Sequence, residues 1–167
     1  MKKNLLEAKK ILIVDDEPDV LETLENSLAM CELSKASSFY QAKELLETQY
    51  FDFVILDIMG VNGYRLLEIA NEKKVIAVML TAHELSPEDA IRSYKEGAAF
   101  YVPKAKMNEI EEILNDILEA KKEGKTSWWS WHDRFGSYFK DKFSFDWTGE
   151  GEFRKENQAI KWEKYFH

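Results

Sequence analysis

The chain has 167 residues, 45% of them hydrophobic and 32% charged, and 31 acidic against 23 basic side chains give a formal net charge of -8. The length accommodates one domain of about 100–150 residues plus something smaller, and the acidic balance disfavours general attraction to a polyanion such as DNA. Cys31 is the single cysteine and cannot pair within the chain. The opening residues lack the apolar stretch of a secretory signal, and the longest aliphatic run, Val75 to Leu80, is far short of the roughly 20 residues of a spanning helix. The expectation is a cytoplasmic protein without a transmembrane segment.

In chain order, Ile11-Leu12-Ile13-Val14 is an apolar run of the kind found in strands buried on both faces. Pro18 suits a first helical turn, and Val20, Leu21, Leu24 and Leu28 follow at helical spacing. Leu33 to Ala36 is a second strand candidate. A second helix is expected from about Phe39 to Thr48, capped by Ser37 or Ser38. Phe53 to Leu56 is a third strand, and Leu66, Leu67, Ile69 and Ala70 mark a helix after Gly63. Val75 to Leu80 is a fourth strand. Ser86-Pro87-Glu88-Asp89 then signals a helix start, and Gly97 a stop. Phe100-Tyr101-Val102 is a fifth strand, followed by a helix through Ile110, Ile113, Leu114, Ile117 and Leu118 that Gly124 closes. Five strand-then-helix repeats predict a doubly wound parallel sheet of the α/β class, with helices on both faces.

Residues 125–167 are built differently. They carry a net charge of +1 against -9 for the first 124, and hold all five tryptophans. Trp128, Trp131, Phe135, Tyr138 or Phe139, and Lys142 or Phe143 recur at three to four residues, predicting a helix with an aromatic stripe. The stripe can pack on the protein itself, or anchor a partner, a homodimer or a membrane surface. The expected division is a domain over 1–124 and an aromatic-rich helical extension over 125–167, too short for a winged helix or a helix-turn-helix output.

Polar residues gather where the apolar strands end. Asp15 and Asp16 follow the first strand, Asp57 the third, Thr81 the fourth and Lys104 the fifth. In an open doubly wound sheet the carboxyl ends of the strands form the ligand crevice, so these five residues converge. Crowded carboxylates need a cation, and an all-oxygen set suits Mg²⁺. With a lysine and a hydroxyl beside them they describe a site where an aspartate oxygen receives a phosphoryl group and its charge is neutralised. Taken singly, the residues have plainer readings, an Asp-Asp pair before Pro being a common helix cap.

Asp15-Asp16, Leu56-Asp57-Ile58-Met59, Thr81-Ala82 and Tyr101-Val102-Pro103-Lys104 together resemble the receiver domain of two-component response regulators, over roughly residues 9–122. The resemblance implies a flavodoxin-like sheet of order 2-1-3-4-5 and a single-domain regulator with an aromatic extension. By position it implies Asp57 as phosphoacceptor, and Mg²⁺ held by Asp15, Asp16, Asp57 and the backbone carbonyl of Met59. Lys104 and the backbone N–H of Ala82 meet the phosphoryl oxygens, and Thr81 and Tyr101 act as switch residues. His83 stands where the family tunes phosphoryl lifetime, and equally reads as a solvated loop residue. The implied partners are a sensor histidine kinase or phosphotransfer protein upstream and a protein target downstream, with homodimer formation open and no direct nucleic-acid contact.

Two departures from the family pattern stand out. Glycine falls at the sixth residue after Asp57, as Gly63, rather than the eighth, and the usual proline at the fourth is missing, so the loop beside the site is two residues short. Lys104 is followed by Ala105 rather than Pro, and a cis bond there would cost about 3–4 kcal/mol, so trans is expected. The function these residues predict is a phosphorylation-dependent switch rather than a turnover enzyme. The alternative is a receiver-like module that is not phosphorylated and binds partners constitutively through its aromatic tail. A phosphohydrolase with an aspartyl nucleophile lacks its usual second acid, since Met59 occupies the place two residues on.

Overall fold

The structure is a computed structural model and describes residues 4–81 and 87–128. The strands are β1 (Lys10–Val14), β2 (Glu32–Ala36), β3 (Phe53–Asp57), β4 (Ile76–Thr81) and β5 (Phe100–Pro103). The helices are α1 (Pro18–Ser27), α2 (Phe39–Thr48), α3 (Gly63–Glu72), α4 (Pro87–Lys95) and α5 (Ile110–Lys122), with a 3-10 helix over Lys104–Glu109. All five strands are parallel and stand in the order β2-β1-β3-β4-β5. This is the predicted sheet. Ile11 to Val14 and Val54 to Leu56 are wholly buried, as continuous apolar runs covered on both faces must be.

The strand order sets the layers. The step from β1 to β2 runs one way along the sheet, and the steps from β2 through β3 and β4 to β5 run the other way. Right-handed crossovers therefore put α1 on one face and α2, α3 and α4 on the opposite one. The winding reverses between β1 and β3, which opens a crevice at their carboxyl ends. Asp15 lies one residue past β1, and Asp57 is the last residue of β3.

The element boundaries follow local chemistry. Ser38 caps α2, its side chain accepting the Gln41 N–H at 3.3 Å. Gly97, at φ 93, follows α4 in a left-handed conformation that suits glycine. Two cross-links tie α3 to α4. The Tyr64 hydroxyl donates to Asp89 Oδ1 at 3.0 Å while the Arg92 guanidinium lies 3.8 Å from the Tyr64 ring centre. Asn71 Nδ2 donates to the Glu96 carbonyl at 2.6 Å. Burial pushes the Tyr64 phenol up to about 12. No peptide bond among the described residues is cis.

The chain divides between Asn115 and Asp116, inside α5. Before that point the amino-terminal turn is pinned to α5 residues, Asn4 Nδ2 donating to Glu111 Oε1 at 3.3 Å and the Leu5 N–H to Asn115 Oδ1 at 3.2 Å. After it, α5 ends at Lys122, Gly124 takes φ 72, and Trp128 is buried. The rest of the expected aromatic stripe, from residue 129 on, lies outside the described residues, as does the Ser86 cap. Among the described residues no helix is long and apolar enough to cross a membrane.

Candidate functional site

Five of the residues singled out from the sequence sit at the carboxyl edge of the sheet because each ends or follows a strand. Asp15 is fully buried, while Asp57 and Thr81 are each only 4% exposed. Asp16 is exposed, and Lys104 is partly covered. Lys104 Nζ lies 2.7 Å from Asp15 Oδ2 and 3.4 Å from Asp57 Oδ1, so one ammonium joins the ends of β1, β3 and β5. Thr81 ends β4, in register with Pro103 of β5, the residue before Lys104. Tyr101 is wholly buried within β5. Met59 is 71% exposed in the turn after β3. Ala82 and His83 lie outside the described residues.

That turn explains its own glycines. The Gly60 N–H donates to Asp57 Oδ2 at 2.9 Å, which fixes one carboxylate oxygen from the backbone. A β-carbon on Gly60 would collide with the carboxylate of Asp16. Gly63 donates its N–H to the Ile58 carbonyl at 3.0 Å, and a β-carbon there would overlap the Asp57 carbonyl oxygen. Asn62 between them takes the left-handed conformation, φ 55, that asparagine tolerates. With this short loop, α3 begins at Gly63 directly against the backbone of Asp57.

Glu17 was not singled out from the sequence and belongs to this site. Its backbone N–H donates to Asp15 Oδ1 at 2.8 Å, and its Oε1 accepts from Lys104 Nζ at 3.2 Å. One carboxylate oxygen from each of Asp15, Asp16 and Glu17 lies within 4.8 Å of the others. The sequence offered a weak sign, a third acid directly after Asp15-Asp16, but nothing local places it against a lysine 87 residues away.

The electrostatics are those of a site with more negative than positive charge. Burial pushes the Asp15 carboxyl above its ordinary range, opposed by Lys104 and the Glu17 N–H, while the charge of Asp57 adds to the rise. Burial lowers Lys104, but the carboxylates of Asp15, Asp57 and Glu17 outweigh it and leave its ammonium held more firmly than usual. Asp15 Oδ2 is buried against the Lys104 ammonium, 2.7 Å away. The carboxylates of Asp15, Asp57 and Glu17 surround a single ammonium with Asp16 beside them, and such an all-oxygen set with excess negative charge fits a hard cation.

Residues 11–115 match the model of the response regulator receiver domain. A two-component response regulator of Arabidopsis thaliana is 30% identical over 117 residues, an alignment covering 66% of this chain and 18% of that protein. The response regulator protein PilR of Pseudomonas aeruginosa is 32% identical over 120 residues, covering 68% of this chain and 27% of the relative. The chain thus matches only a minor part of the length of these curated relatives. Among solved structures, a CheY-like receiver domain protein from Methanospirillum hungatei superposes with a TM-score of 0.61 at 26% identity, over 70% of this chain and 98% of that one. A response regulator from Chloroflexus aurantiacus gives a TM-score of 0.60 at 29% identity, over 67% and 98%. With the sheet order, the carboxylate cluster and the family match in agreement, the chain belongs to the response regulator receiver domain family of two-component signalling.

Proposed function

We propose that this protein is a phosphorylation-dependent switch in which Asp57 accepts a phosphoryl group from a phosphohistidine of a histidine kinase or phosphotransfer protein. The observation that carries the reading is the Lys104 ammonium between Asp15 and Asp57, 2.7 and 3.4 Å from their oxygens. An Asp57 oxygen attacks phosphorus, the P–N bond breaks, and the imidazole leaves with the electron pair. The incoming phosphoryl group brings negative charge into a site already rich in it. Lys104 is placed to neutralise part of that charge, and the Gly60 N–H holds Asp57 Oδ2, orienting the nucleophile. Asp15, Asp16, Asp57 and the Met59 carbonyl are the proposed holders of Mg²⁺, with Glu17 beside them. When bound, Mg²⁺ neutralises charge on the transferring phosphoryl oxygens.

The protein acts as a stoichiometric acceptor, with at most slow self-dephosphorylation. Thr81 is buried at the end of β4 and Tyr101 is buried on the neighbouring strand β5, two register positions away, and these two are the proposed switch residues. The output passes by protein contact. The proposed receiver spans residues 1–124 and the proposed aromatic extension 125–167, a length short of a winged helix or helix-turn-helix output.

Beryllofluoride, a mimic of the aspartyl phosphate, tests the site. Mg²⁺-dependent binding with amide shifts around Asp57, Thr81 and Lys104, absent in Asp57→Asn, is the expected result. Failure of beryllofluoride to bind with Mg²⁺ present would favour the constitutive interaction module instead.

A further inference from the structure

Glu17 stands at the N-cap position of α1, where a side-chain oxygen ordinarily turns back onto free N–H groups of the first turn, yet it makes no such cap hydrogen bond. Its carboxylate reaches across the site instead. There it accepts a hydrogen bond from Lys104 Nζ at 3.2 Å. Asp15 Oδ2 lies nearer, at 2.7 Å, and Asp57 Oδ1 slightly farther, at 3.4 Å. Of these three carboxylates around Lys104, those of Asp15 and Asp57 are buried and that of Glu17 is exposed, so Glu17 is the partner free to turn away.

Glu17 also belongs to a second constellation, the group formed by Asp15, Asp16 and Glu17 with ligand atoms within 4.8 Å of one another. A carboxylate drawn toward a divalent cation holds an ammonium less well, because its charge is shared and the two cations repel. The two roles of Glu17 therefore compete. We propose that Glu17 is a positioning residue that occupies one donor of Lys104 while the acidic pocket lacks its cation, and frees that donor for an incoming anion when the Glu17 carboxylate turns to the cation. This rests on the phosphoacceptor reading of the site only for its purpose, since the exchange of partners is a property of Glu17 and Lys104 themselves. It makes cation binding the step that readies the lysine for an anion, and by linkage an anion on Lys104 favours the cation in return.

The test is calorimetric titration of the full chain with Mg²⁺ in a double-mutant cycle over Glu17→Gln and Lys104→Met. Circular dichroism establishes that each variant is folded, and the exposed Glu17 tolerates the isosteric amide. In the otherwise native chain, Glu17→Gln is expected to raise the Mg²⁺ dissociation constant about three- to fivefold, the scale of an exposed ion pair. With Lys104→Met present, Glu17 has no ammonium to give up, so the same substitution is expected to cost about threefold more. An unchanged dissociation constant in Glu17→Gln overturns the inference. So does an equal factor in both backgrounds, which describes a nearby charge with no exchange of partners. If the cycle gives the expected coupling but acetyl phosphate fails to label Asp57, the Glu17 exchange stands and the phosphoacceptor reading is the one that falls.

Discussion

Replacing Gly63 by alanine is expected to destabilise the protein by about 1–3 kcal/mol, the usual scale for forcing an extra methyl into a closed space. The closeness of the space is specific. The new β-carbon would overlap the carbonyl oxygen of Asp57 and crowd the α-carbon of Ile58, both backbone atoms that no rotamer change can move aside. The Gly63 N–H is bound to the Ile58 carbonyl at 3.0 Å, so the turn cannot open without losing that bond as well. Relief must come from moving the end of β3, and with it Asp57. Gly63→Ala should thus lower the denaturation midpoint and slow phosphorylation together. By contrast, a β-carbon on Gly60 meets a side chain, the carboxylate of Asp16, which can swing away. Gly60→Ala is therefore the milder change for the fold. Denaturant titration of Gly63→Ala checks the claim, and a native midpoint would show that α3 can back away from the sheet at little cost.

Asp15→Asn is expected to act in the opposite sense, raising stability in the absence of divalent cations by about 1–2 kcal/mol. Asp15 is fully buried and Asp57 nearly so, and one ammonium is placed between them. A buried negative charge in excess is a cost, and the site bears it for the sake of binding. The asparagine retains the oxygen that accepts the Glu17 N–H and removes the excess charge. Mg²⁺ should reverse the order. A ligand that binds only the folded state at 100 times its dissociation constant adds about 2.7 kcal/mol, a gain open to the native chain and mostly lost to the variant. Thermal melts of both proteins with and without Mg²⁺ should therefore cross. Equal midpoints without the cation, or equal gains with it, would contradict this account of the acidic site.

Much of this was legible in the sequence, for identifiable reasons. The strands read clearly because parallel strands covered on both faces are written as unbroken apolar runs, and Ile11 to Val14 and Phe53 to Leu56 are such runs. With the strands located, the fold rule puts Asp15, Asp16, Asp57, Thr81 and Lys104 on one edge without any knowledge of side-chain positions. Glu17 escaped because its significance lies in a contact with Lys104 across 87 residues, and in a cap hydrogen bond it does not make. The 3-10 helix over Lys104–Glu109 escaped because a short polar segment carries no periodicity to read. The missing residues of the loop after Asp57 were visible as a spacing. What they do was not: Gly60 binds Asp57 through its N–H, and Gly63 lets α3 start against the strand end.

Asp57 is expected to receive a phosphoryl group in a Mg²⁺-dependent reaction. Intact mass measurement of the full chain after incubation with acetyl phosphate tests it most directly, with peptide mapping to locate the product. The expected result is a gain of one phosphoryl mass on Asp57 that needs Mg²⁺, is lost in Asp57→Asn and is strongly reduced in Lys104→Met. An unmodified native protein under these conditions, or the same gain in Asp57→Asn, would contradict it.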